Sequence, residues 1–211
     1  MMRISALAAA FIAMAGAAEA HPHIFMDSDL RLLRDAEGQF AVLEVIWTYD
    51  AFYSLSLTTD MGLDADGDGV MSPEDMAALQ SVDAQWVPGF VGDTYVTVDG
   101  QDIGLSPPRD HLVRYEDGRI ISRFLRDLVQ PADPAQVITL RNFDPGYYSE
   151  YSVRHAEAER CQAEILPPDL TAADQAMQAE LAKLAIGQDA EAEFPAVGGL
   201  FAQEVRVTCA E

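Results

Sequence analysis

The sequence predicts an α+β fold: a mostly antiparallel β core, sandwich or barrel-like, with an inserted EF-hand-like helix–loop–helix and one further helix near the C-terminus. Three observations predict it. Apolar residues alternate with period two over residues 24–49. The period becomes helical between about residues 50 and 90. Beyond that, short strand-like runs recur with hairpin turns between them.

Ile24, Met26, Leu30 and Leu32 share one parity, with Asp27, Asp29 and Arg31 on the other, so one face of this strand is buried. Asp35 to Gly38 carries the turn, and a return strand follows over Phe40–Tyr49. From Asp50, Phe52, Leu55 and Thr59, with Tyr53 and Leu57 beside them, suit a short helix. After a Gly- and Asp-rich loop, Met76, Leu79, Val82 and Trp86 recur at helical spacing, and Pro88-Gly89 ends that helix. Thr94–Val98 reads as a strand before an Asp99-Gly100 hairpin turn. Residues 111–115 and 119–124 flank a second turn at Glu116-Asp117-Gly118. Residues 137–142, 147–153 and the short run 161–165 are further strands. Pro167-Pro168 breaks the chain. Thr171 with Asp174 resembles a capping box, and Met177, Leu181 and Leu184 form the stripe of the helix it opens. Residues 187–199 are acidic and loop-like, and 205–209 close as a strand.

Asp and Glu number 35 against 13 Lys and Arg, a formal charge of −22. That excludes nucleic acid as a partner, because a phosphate backbone requires a basic surface. It also opposes docking on anionic lipid headgroups.

Arg3, the apolar run from Ile4 to Ala17 and the small-x-small site Ala18-Glu19-Ala20 have the pattern of a secretory signal peptide. The expected organisation is a signal peptide over residues 1–20 and a single β-rich periplasmic domain over 21–211, not itself transmembrane after cleavage. Its EF-hand-like insertion lies at about 50–90. In an oxidising compartment the even pair Cys161 and Cys209 is expected to form a disulfide. Such a bond closes a loop of roughly 50 residues, worth about 4 kcal/mol on the chain-entropy model.

Residues 64–75 follow the EF-hand pattern. Asp64, Asp66 and Asp68 stand at positions one, three and five, where carboxylates converge on a hard cation. Gly69 stands at position six, where the turn requires positive φ. Val70 would offer its carbonyl at position seven, and Ser72 stands at nine. Position twelve is Asp75, not glutamate. Its shorter stem weakens calcium and tilts the site towards magnesium. Ser72, Pro73 and Asp75 also make a good N-cap, N1 and N3. The expected cofactor is calcium or magnesium in a structural role.

Four histidines are present: His21, His23, His111 and His155. Cleavage after Ala20 would place His21 and His23 beside a free amine. A third-position histidine resembles the square-planar copper/nickel amino-terminal motif, but Pro22 has no N–H to deprotonate. The remaining chelate is the His21 amine and imidazole joined by His23. With reference pKa values of about 7.7–8.0 and about 6.5, neutral ligands are available near pH 7. Nickel, cobalt, zinc or copper suit these nitrogens, with His111 or His155 as further ligands if the fold brings them near.

The start His21-Pro22-His23-Ile24-Phe25, the Asp-rich loop and Phe143-Asp144-Pro145-Gly146-Tyr147-Tyr148 together resemble domain-of-unknown-function family 1007, over essentially the whole mature chain. The resemblance implies a periplasmic component of ABC-type transport that handles metal beside an inner-membrane nickel/cobalt-type permease. Phe143 to Tyr148 reads on its own as a tight turn followed by core aromatics. The rival reading is a secreted structural or interaction domain whose only metal is the EF-hand ion. No enzyme is expected: GxSxG, HExxH and a Cys–His nucleophile pair are all missing from the sequence, which leaves only a copper enzyme built on the N-terminal histidine.

Overall fold

A computed structural model of the chain describes residues 22–84, 86–184 and 194–210. The expected signal peptide and His21 lie outside the described residues.

β1 (Ile24–Arg34) and β2 (Phe40–Tyr49) form the expected hairpin, with Met26 opposite Tyr49 and Leu32 opposite Leu43. Met26, Leu30 and Leu32 are buried, while Asp27, Asp29 and Arg31 face outward. α1 (Ala51–Asp60) starts at Asp50, whose side chain accepts from the Tyr53 N–H. α2 (Pro73–Leu79) starts at Ser72. β3 (Thr94–Val98) and β4 (Gln101–Ile103) turn at Asp99-Gly100, both with positive φ, as a type I′ turn requires. β5 (Arg109–Glu116) and β6 (Arg119–Ala132) turn at Asp117-Gly118 in the same way. β7 (Ile138–Asn142), β8 (Ser149–Ala158), β9 (Gln162–Leu166), α3 (Leu170–Leu181), α4 (Gly198–Phe201) and β10 (Glu204–Thr208) complete the order.

The strands make two five-stranded sheets, ordered β5-β6-β2-β1-β8 and β4-β3-β7-β10-β9. Neither closes on itself, so of the two expected architectures the sandwich holds and the barrel does not. Pairing is antiparallel except for β1 with β8. One core joins the sheets: Leu30, Leu43, Val45 and Phe124 from the first meet Val96, Ile138, Leu140 and Val205 from the second. The chain passes from the first sheet to the second between β8 and β9. There the Cys161–Cys209 disulfide, with Cα atoms 4.4 Å apart, ties the corner to the end of β10. Arg34 donates to both sulfurs from the end of β1.

Three local expectations are corrected. α1 does not bury Phe52 and Leu55, which are 80% and 61% exposed; it buries Ser54 and Thr58. The Ser54 hydroxyl accepts the Ile120 N–H of β6, and the Thr58 hydroxyl donates back to the Ser54 carbonyl, so the buried polar atoms are satisfied. The second helix does not reach Trp86. It stops at Leu79, and Asp83 enters the left-handed region at φ +58, held by a hydrogen bond from Tyr49. α3 is capped by Asp169, which accepts from Ala172, and not by Thr171.

Candidate metal centre

The Asp-rich loop joins α1 to α2. Asp64, Gly67 and Gly69 all have positive φ, which lets the chain coil tightly enough to turn its carboxylates inward. Both Asp64 carboxylate oxygens accept from the Gly69 N–H, at 3.3 and 3.1 Å. The Asp68 carboxylate accepts from the Val70 N–H at 2.8 Å. One oxygen each from Asp64, Asp66 and Asp68 lies within 4.8 Å of the others. Among the described residues this is the one group of three or more His, Cys, Asp or Glu side chains so placed. Oxygens at 2.3–2.6 Å from a calcium ion are separated by about that much, so the donor set suits a hard cation.

Ser72 and Asp75 form a reciprocal capping box: the Ser72 hydroxyl accepts from the Asp75 N–H, and the Asp75 carboxylate accepts from the Ser72 N–H, both at 3.1 Å. Those bonds from Ser72 hold the Asp75 carboxyl below the usual carboxylate range, with a smaller contribution from the Asp64 N–H. The latter places position twelve against position one. Val70 is exposed, at position seven.

α2 is fastened to the first sheet through Gln80. Its side-chain amide donates to the Val113 carbonyl at 2.6 Å and accepts the Val113 N–H at 2.8 Å, as a neighbouring strand residue would. Just beyond, Asp83 receives the Tyr49 hydroxyl at 2.7 Å. Burial raises the Asp83 carboxyl, against hydrogen bonds from Tyr49 and Ser122 and the charge of His111. Two short polar links thus join the end of α2 and the turn after it to β5 and β2.

The three described histidines do not converge. The His111 ring contacts the Ser122 hydroxyl at 3.1 Å, and burial lowers its pKa despite Asp83. His155 lies beside Asp29 on β8. β5 and β8 are opposite edges of one sheet, four inter-strand steps or about 19 Å apart, so a single site cannot hold both His111 and His155. The His23 N–H donates to the Tyr148 carbonyl at 2.8 Å, and its ring lies 4.6 Å from that of Tyr148. His23 precedes β1, whereas His155 pairs with Asp29, six residues further along, about 20 Å away. The Phe143–Tyr148 segment is a turn: the Asp144 carboxylate accepts the N–H groups of Gly146, Tyr148 and Ser149. Tyr147 stacks on Phe201 at 4.4 Å.

A second acidic centre lies in the core and carried no local signal in the sequence. Asp93 is buried and accepts the Tyr151 hydroxyl at 2.8 Å; burial pushes its carboxyl up to about 7. Its carbonyl accepts from Asn142, which also bonds Thr94 and Ser28.

The fold and site together define a two-sheet β protein bearing a cluster of three converging aspartates on a helix-flanked loop. The chain belongs to the DUF1007 family of proteins of unknown function, which matches residues 6–209, nearly its whole length. No curated protein matches the sequence. Among the described residues, no helix is long and apolar enough to cross a membrane. The disulfide accords with an oxidising compartment.

Proposed function

We propose that this is a periplasmic, non-enzymatic metal-binding accessory protein whose EF-hand-like loop holds one calcium or magnesium ion structurally. The observation that carries this reading is the approach of the Asp64, Asp66 and Asp68 oxygens to within 4.8 Å of one another. Three carboxylates so close repel, and a divalent cation relieves that repulsion. The Asp64–Gly69 bond and the capping box hold the donors in place without consuming them. Asp64, Asp66 and Asp68 would supply carboxylate oxygens, Val70 a carbonyl, and Ser72 and Asp75 the remaining oxygen positions. The test is elemental analysis of the purified protein with calcium and magnesium titrations of wild type and Asp64→Ala/Asp68→Ala. The expected result is one ion per wild-type chain and none per variant; equal uptake by both would refute the site.

The transition-metal function extends this reading. His21 and His23 at a processed N-terminus would carry nickel, cobalt, zinc or copper as cargo for an inner-membrane permease of the nickel/cobalt type. It rests on the family resemblance and on the chemistry of those two residues. Nickel, copper and zinc titrations in excess calcium, comparing wild type with His21→Ala/His23→Ala, decide it: equal affinities would exclude this cargo site. The separation of His111 from His155 favours a second reading, a secreted structural or interaction domain with the loop ion as its only metal.

A further inference from the structure

A cavity of about 780 Å³ opens between residues 86–91, beyond α2, and the end of β4 with the chain that leaves it as far as Pro108. None of the loop aspartates lines it. Its walls are apolar and aromatic, with Trp86, Phe90, Tyr95 and Leu105 prominent, and Val87 stands 71% exposed beside its mouth. The volume is that of a small-molecule site.

A cation lies against this apolar space. Arg126 is 4% exposed, the one buried arginine among the described residues. Arg31, Arg109, Arg119 and Arg123 each hold a carboxylate; no described carboxylate pairs with Arg126. Its Nε donates to the Ser106 carbonyl at 2.8 Å, Nη1 to Val91 at 2.7 Å and Nη2 to Leu105 at 3.5 Å. A guanidinium has five N–H donors, so two find no acceptor among the described residues. Burial alone lowers its pKa to about 10, so the group stays charged at neutral pH.

Trp86 packs over this group, its ring centre 4.9 Å from the guanidinium carbon, and its Nε1 is buried without an acceptor. Gly92 makes the arrangement possible. At φ +73, a Cβ there would stand 2.2 Å from the indole and 2.9 Å from Arg126 Nη1. As a strut between two loops, Arg126 accounts for three of its bonds. That role leaves the spare donors and the indole N–H unexplained, and buried donors without acceptors are costly.

We propose that this cavity binds a small organic carboxylate, its apolar body against Phe90, Tyr95 and Leu105 and its anionic group on the spare donors of Arg126. The negative charge of the whole chain does not forbid this, because salt screens distant exposed charges within about 8–10 Å while a desolvated cation acts at contact. Asp102 at the rim is exposed and therefore screened. None of the loop aspartates lines the cavity, so the proposal does not rest on the cation reading.

The full chain, in magnesium-containing buffer throughout, is titrated with octanoate, 1-octanol and acetate, read by tryptophan fluorescence and ligand-observed NMR. Octanoate is expected to bind saturably and about tenfold more tightly than octanol, with no saturation by acetate over the same range. Arg126→Gln should weaken octanoate by about tenfold and leave octanol unchanged. Val87→Glu is a second variant, placed at the exposed mouth where folding does not depend on it, and should weaken octanoate selectively by charge repulsion. Absence of saturable octanoate binding at millimolar concentration, equal binding of octanoate and octanol, or undiminished octanoate binding by Val87→Glu would overturn the proposal.

Discussion

Asp64 in the loop and Asp93 in the core are the same residue type in the same left-handed backbone region, with φ +50 and +43. Their surroundings give them opposite chemistry. Asp64 is partly exposed, stands beside two more carboxylates, and accepts backbone N–H bonds. Asp93 is buried under a tyrosine hydroxyl, and burial pushes its carboxyl up to about 7, against the hydrogen bond from Tyr151. The loop gathers negative charge where a cation can reach it, whereas the core removes charge where water cannot. The difference shows how a strongly acidic chain distributes its carboxylates: clustering is tolerated at the surface and protonation in the interior.

The largest expected effect comes from a change that touches neither acidic region. Cys161→Ala/Cys209→Ala should lower stability by about 4 kcal/mol in denaturant titrations. The loss should be equal in calcium and in chelator; a loss that depends on cation would show that loop and corner are one unit. Next comes the loop. At a cation concentration about a hundredfold above Kd, wild type should gain about 2.7 kcal/mol over chelator, and Asp64→Ala/Asp68→Ala should gain nothing. Thermal melts in both conditions measure this.

The core should respond to protons in the opposite sense from ordinary surface carboxylates. The folded Asp93 carboxyl, at about 7, lies above its unfolded value, so its contribution is complete below about pH 4 and is lost as pH rises towards 7. Stability, read as melting temperature, should therefore climb as pH falls from 8 to 5, the free energy of unfolding gaining at most about 1.4 kcal/mol per pH unit from this group. Asp93→Asn should flatten the profile; the raised Asp83 would leave a residual slope of the same sign. An unchanged profile in Asp93→Asn would show that the proton sits elsewhere. The smallest effect is at the link between regions. Gln80→Ala removes two hydrogen bonds and should cost about 1 kcal/mol, while making the cation-induced gain smaller in the same melts. A full cation gain in that variant would mean that the loop and the sheet are energetically separate.

Features encoded by neighbouring residues were legible in the sequence. The Asp99-Gly100 and Asp117-Gly118 turns need positive φ, and the residues that supply it stand side by side. The Asp-rich loop and the Ser72–Asp75 box are likewise local. Features set by distant partners were not. Ser54 faces inward, where its hydroxyl accepts the Ile120 N–H of β6, and Thr58 sits one turn later with its hydroxyl on the Ser54 carbonyl. The parallel pairing of β8 with β1 joins residues more than a hundred positions apart, and it carries His155 to the edge opposite His111. Arg126 shares the inward parity of Ile120, Phe124 and Leu128, so the alternation of β6 buries it, but nothing in that alternation shows what the guanidinium meets there.

The Gln80 side chain has a consequence for solution behaviour. β5 ends its sheet, and its open rim can template pairing with a second molecule. At Val113 that rim is occupied by the Gln80 amide, which a foreign backbone would have to displace. Because Gln80 lies just past the helix that follows the aspartate loop, cation withdrawal would loosen this guard. Turbidity in chelator should then grow with protein concentration, and Gln80→Ala should aggregate even with calcium present.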